Sequence, residues 1–130
     1  MPDPHEAAGI AILLWAAEPE APHRLVAPFF YAAAAAAMDT PVEIYFSARS
    51  VYLLVPGVAD GLRASPRHDK TVGQALREAV GHGARLFACT DALHAQGIAP
   101  DDLIPECTDR GGAVQFMARA SDLRWRTLVF

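Results

Sequence analysis

A chain of 130 residues has room for one domain with its own hydrophobic core and none for a second. With 52% hydrophobic and 20% charged residues it composes like a folded globular protein, and its apolar runs are too short for a bilayer span, so no membrane anchoring is expected. A formal net charge of -4 with scattered basic residues speaks against nucleic acid as a partner, and two cysteines are too few for a disulfide scaffold, which points to the reducing cytoplasm.

In chain order, residues 1–8 carry two prolines and several titratable groups and read as a flexible tail, with the single domain spanning 9–130. The apolar run from Ala7 to Ala17 follows acidic Asp3 and Glu6 where an export signal would carry basic residues, so it reads as a strand and not a leader. Gly9 to Ala16 lacks alternation, as a strand covered on both faces does. A helix then starts between Pro22 and Pro28 and runs to about Met38, through the alanine run Ala32 to Ala37. Asp39-Thr40-Pro41 stops it, and Val42 to Phe46 has the β-branched and aromatic content of a second strand.

Ser47 to Leu54 reads as a short helix, and Pro56 to Lys70 as the least ordered interior segment, a basic loop through Arg63, Arg67, His68 and Lys70. Thr71 caps a helix to about Val80. Ala84 to Ala88 forms a third strand, Cys89-Thr90-Asp91 opens a helix ending near Gly97, and Pro100 to Ile104 adds a helical turn. A fourth strand is expected at Ile104 to Thr108, a helix from Gly111 to about Ser121, and an alternating strand from Leu123 to Phe130. Repeated βα units of this kind predict a three-layer α/β/α sandwich on a mostly parallel sheet of about five strands.

Ligands and reactive groups in such sheets gather outside the carboxyl ends of the strands, and Cys89 falls at such an end, opening a helix. The amino end of a helix favours thiolate over thiol, which a nucleophilic or sulfur-carrying cysteine needs; a small buried hydrophobe is the other reading of the same position. Ser47, Arg49 and Ser50 follow the second strand at the same end of the sheet and, with Thr90 and Asp91, are candidates to line a pocket there; as ordinary helix caps they would look the same. Cys107 near the fourth strand is either a thiol able to resolve an oxidised or persulfidated Cys89 or a packed core residue. The five histidines are isolated, with no His-x-x-x-His or Cys-x-x-Cys, and the glycines form no nucleotide fingerprint, so no metal and no cofactor is expected.

The segment Gly81 to Asp102, GHGARLFACTDALHAQGIAPDD, resembles the stretch of the DsrE/DsrF-like sulfur-relay superfamily, TusD-like and YchN-like proteins included, in which a strand runs into a cysteine and a helix ends at a glycine. Val42 to Gly57, VEIYFSARSVYLLVPG, is similar to that family's second strand and following turn, and Leu103 to Met117 to its late segment, so the resemblance covers about Gly9 to Phe130. It implies a DsrE-like fold, self-association into homo-oligomers, trimers or hexamers, and a sulfurtransferase-type relay in which a cysteine, here Cys89, takes sulfur as a persulfide from a donor protein and passes it to an acceptor. One departure stands out: Gln96 precedes the helix-ending Gly97, where the pattern has a basic residue. The alternatives are a non-enzymatic oligomeric small-ligand-binding or scaffold protein of the same fold, and a thiol-redox protein using Cys89 and Cys107.

Overall fold

The computed structural model describes residues 7–130. The expected tail thus falls for the most part outside the described residues. Five strands, β1 (Gly9–Leu14), β2 (Val42–Phe46), β3 (Arg85–Ala88), β4 (Asp109–Arg110) and β5 (Trp125–Val129), form one sheet in the order β4-β3-β2-β1-β5. Every pair is parallel, with Ile10 opposite Val42, Glu43 opposite Arg85, Phe87 opposite Asp109 and Gly9 opposite Trp125. This is the expected α/β architecture, all-parallel where the sequence suggested mostly parallel.

Alternation along the strands divides the core into two layers. Ile12, Ile44 and Leu86 point to a large cluster containing Val26, Phe29, Ala32 and Ala36 of α1 (Val26–Ala37) and Val72, Ala75, Leu76 and Ala79 of α2 (Val72–Gly81). The alanines on both helices let α1 and α2 lie close together over the sheet. Ala11, Tyr45 and Phe87 point the other way, to a smaller cluster joined by Leu13, Phe116 and Trp125 and covered by α4 (Ala113–Ala120). α3 (Thr90–Ala95) packs beside a 3-10 segment at Ala48–Leu54.

Local chemistry sets the boundaries. Pro28 sits in the first turn of α1, where a missing N–H costs nothing, and a separate 3-10 turn, Pro22–Arg24, precedes the helix. Thr71 and Gln74 close a capping box at the start of α2: the Gln74 amide donates to Thr71 Oγ1 at 3.1 Å and the Thr71 amide to Gln74 Oε1 at 2.8 Å. β1 stops at Leu14 because the Trp15 and Ala16 amides both turn to the Phe130 carbonyl, at 2.7 and 3.0 Å.

The fourth strand lies later than expected. The Ile104 amide donates to the Leu54 carbonyl and the Cys107 amide turns back to the Ile104 carbonyl, so Ile104 to Cys107 bends through Pro105, which has no amide proton for a ladder. Only Asp109 and Arg110 join β3.

Candidate functional site

The carboxyl ends of β1, β2 and β3 open, under the amino end of α4, onto a cavity of about 320 Å³. Leu13, Tyr45 and Phe46 form its sheet wall, Phe116 and Met117 of α4 its roof, and Ser47, Cys89 and Gly112 lie on its margin at the strand ends. Cys89 is there because β3 has alternating faces: Phe87 looks toward α4, Ala88 toward α1 and α2, and Cys89 comes next, just before α3. Its amide pairs with the Phe46 carbonyl at 3.1 Å, which ties the cysteine backbone to the end of the neighbouring strand. The thiol is free and half-buried.

Gly112 stands against that sulfur: a Cβ built on Gly112 would lie 3.3 Å from Cys89 Sγ. At Gly111 an added Cβ would come within 3.0 Å of Phe87 and 3.4 Å of Tyr45. Two glycines therefore bring the chain from β4 close over the sheet and leave open the space beside the thiol.

The remaining candidate residues separate. Ser47 borders the cavity, but its hydroxyl donates to the Leu14 carbonyl at 2.9 Å. Ser50 is fully buried, with its hydroxyl on the Leu14 carbonyl at 2.9 Å and the Ser47 carbonyl at 2.6 Å, a role in holding the turn after β2. Arg49 turns outward to pair with Glu20, reaches Gln96 Oε1 at 3.4 Å and lies over the Tyr52 ring at 4.9 Å. Thr90 and Asp91 form the first turn of α3 and do not reach the cavity wall. The loop from Pro56 to Lys70 is also away from it: Arg63 donates to the loop's own carbonyls at His68 and Asp69, and Lys70 pairs with Glu78 at 2.6 Å.

Cys107 is buried in the larger core cluster, where its thiol donates to the Leu86 and Asp109 carbonyls at 3.7 Å. Burial pushes its pKa up, against the smaller opposing pull of Arg110 and of hydrogen bonds at its sulfur. The thiol beside the cavity is that of Cys89, and Cys107 does not contribute to its lining.

A polar cluster that the sequence reading passed over lies beneath α4. Glu43, 4% exposed as the second residue of β2, accepts two hydrogen bonds from Arg119 of α4, at 2.8 and 3.0 Å, and one from the Tyr45 hydroxyl at 2.7 Å. Burial alone would raise the Glu43 pKa, but the bonds from Arg119 and Tyr45 and the charges of Arg119 and Arg85 outweigh it and hold the carboxyl below its ordinary value. Burial and the adjacent carboxylate push Tyr45 up to about 12. The Arg119 guanidinium also lies over the Trp125 ring at 4.2 Å, and the Tyr45 ring stacks on Phe87 at 4.9 Å and meets Phe116 edge-on at 5.5 Å. One ion pair thus fixes α4 over the sheet and positions the roof of the cavity. The signal for it was a lone glutamate inside VEIYF, a strand buried at every position.

In comparisons with known proteins, the model of the DsrE/DsrF-like family matches residues 11–130. Among solved structures, the ychN protein of E. coli superposes with a TM-score of 0.72 at 16% identity, covering 94% of this chain and 98% of its own. A protein of unknown function from Methanobacterium thermoautotrophicum, MTH1491, superposes with a TM-score of 0.62 at 18% identity, covering 93% and 97%. No curated protein matches the chain.

Proposed function

The chain belongs to the DsrE/DsrF-like family, and from that premise we propose that it is a sulfur carrier whose Cys89 accepts sulfur as a persulfide and hands it to an acceptor. The observation that carries this reading is the placement of the half-buried Cys89 thiol at the carboxyl end of β3, on the margin of a cavity and next to a residue without a side chain. The chemistry needs no cofactor. The Cys89 thiolate attacks the outer sulfur of a donor R–S–SH; a bond forms between the two sulfurs, the donor's S–S bond breaks, and R–S⁻ leaves with the electron pair. An acceptor thiolate then attacks the outer sulfur of the Cys89 persulfide, and Cys89 leaves as thiolate. The electrons balance at both steps without an external oxidant. A free thiol chemistry of this kind suits a reducing cytoplasm.

Incubation with a persulfide donor followed by peptide mass spectrometry tests the reading. Cys89 gains the mass of one sulfur, the gain disappears on addition of an acceptor thiol, and Cys89→Ser takes up none. Failure of Cys89 to acquire sulfur in the folded protein would sink it.

A second reading, an oligomeric ligand-binding or scaffold protein of the same fold, draws on the surface of α4 and β5. No residue of α4 is fully buried, and Val114, Met117, Leu123 and Val129 are all more than half exposed. Such a concentration of apolar side chains suits a subunit interface, and we place self-association there under either reading. Sedimentation of the intact protein and of Leu123→Glu/Val129→Glu checks it: a homo-oligomer that falls to monomer supports that interface.

A further inference from the structure

The cavity beside Cys89 is selective in a way that sulfur transfer alone does not require. Its sheet wall and roof are apolar, and no charged side chain of the described residues lines it. The Ser47 hydroxyl on its margin is committed to the Leu14 carbonyl, and the Tyr45 hydroxyl and Arg119 are committed to Glu43. A charged donor entering this space would lose hydration and meet no charged side chain, only the amino end of α4, whereas a ring or branched alkyl group would only exchange water for Leu13, Tyr45, Phe116 and Met117. At about 320 Å³ the space is of small-molecule size and too small for a folded partner.

We infer that the cavity holds the apolar body of a low-molecular-weight persulfide, R–S–SH with R aromatic or branched alkyl, and sets its outer sulfur against Cys89 Sγ. This rests on Cys89 being the sulfur acceptor. The absent side chain at Gly112 leaves the room the incoming sulfur needs beside Sγ. Transfer forms the bond from Cys89 to the outer sulfur, breaks the donor S–S bond and releases R–S⁻, which takes the electron pair and is protonated on leaving the cavity. Met117, 55% exposed on the α4 side of the cavity, is the lining residue at which a charge can be introduced without entering the buried core.

The test compares benzyl persulfide with glutathione persulfide, which carries carboxylates and an ammonium group. Each is generated in place and reacted with the full chain at equal concentration, and the rate of Cys89 persulfide formation is divided by that donor's rate with the urea-unfolded protein. The normalised rate with benzyl persulfide is expected to exceed that with glutathione persulfide by about tenfold or more. Met117→Lys lowers the benzyl rate and raises the glutathione rate, and because Met117 also belongs to the α4 face proposed above for self-association, the rates are compared with those of the Leu123→Glu/Val129→Glu variant, which leaves the cavity lining unchanged. Benzyl methyl sulfide, which cannot transfer sulfur, shifts the Met117 methyl and Phe116 ring resonances of Cys89→Ser. Equal normalised rates without those shifts would overturn the inference and leave the carrier role standing. If neither donor modifies Cys89, the carrier role itself fails, and the inference with it.

Discussion

Arg119 on α4 grips Glu43 on β2 through two hydrogen bonds, at 2.8 and 3.0 Å, and joins a helix without a fully buried residue to the centre of the sheet. The carboxylate is buried while a third of the arginine side chain remains in solvent, so the pair is asymmetric. Removing the arginine strands a buried charge; removing both charges does not.

Arg119→Met is therefore expected to cost about 3 kcal/mol, at the lower end of what breaking a buried pair costs because Arg119 is partly solvated. Glu43→Gln/Arg119→Met should recover part of that loss. Urea denaturation of the two variants checks both values, and an additive double variant would show that the residues are not coupled.

How much of this was legible in the sequence depends on whether the cause was local. Continuous apolar runs such as GIAILL and VEIYF, a threonine three residues before Gln74, and a cysteine at a strand end all act within a few residues, and the strands, α2 and the place of Cys89 followed from them. The boundary of β4 did not, because it is set by Ile104 bonding to the distant Leu54 carbonyl and by the turn at Pro105. Glu43 announced that a buried charge needed a partner, but nothing in a linear reading chooses Arg119 over Arg85 or Arg124. Ser47 and Cys89 border the cavity as expected, but Arg49 and Ser50, at the same end of the sheet, turn to Glu20, Gln96 and Leu14, and the walls supplied by Leu13, Tyr45, Phe116 and Met117 depend on the same long-range packing.

Glu43 and Tyr45 give opposite limbs to the stability profile. The folded Glu43 pKa lies below its ordinary 4.5, so its contribution is complete above that pH and is lost as pH falls through the folded value. Tyr45 is raised from 10.0 to about 12, so its contribution is complete below pH 10.0 and is lost as pH rises toward about 12. Denaturation across a pH series should show Glu43→Gln flattening the acid limb and Tyr45→Phe the alkaline one. Unchanged limbs in both variants would mean that other groups govern them.

Gly112→Ala places a methyl group 3.3 Å from the Cys89 sulfur in a protein that otherwise keeps its packing. Its φ of -123° lies outside the left-handed region, so the melting temperature should stay within about 4 °C. Persulfide formation at Cys89 should slow by on the order of tenfold, a barrier increase of ~1.4 kcal/mol. A variant that melts normally and reacts at the parent rate would show that the space beside Sγ is not used.

The two thiols should label differently. Cys107, buried and with its pKa raised by that burial, is expected to resist alkylation at neutral pH until the protein is unfolded, while Cys89 labels in the folded state. Pulsed alkylation with isotopically distinct reagents before and after urea checks this. Rapid labelling of Cys107 in the native protein, or a reversible Cys89–Cys107 disulfide, would instead favour thiol-redox chemistry.

β5 completes the sheet from the opposite end of the sequence to β1, with Trp125 opposite Gly9 and so close that a methyl group on Gly9 would collide with the indole. Most of β5 is exposed, and beyond its ladder it is fastened at its start by that indole, under the Arg119 guanidinium, and just past its end by Phe130, which stacks on Tyr31. With long loop closure and little burial, this strand is expected to dock late during folding and to open early afterwards. Amide hydrogens along Trp125–Val129 should accordingly exchange well before those of β2, and in an oligomer the association of subunits, rather than the fold of one chain, would govern how long that edge stays closed.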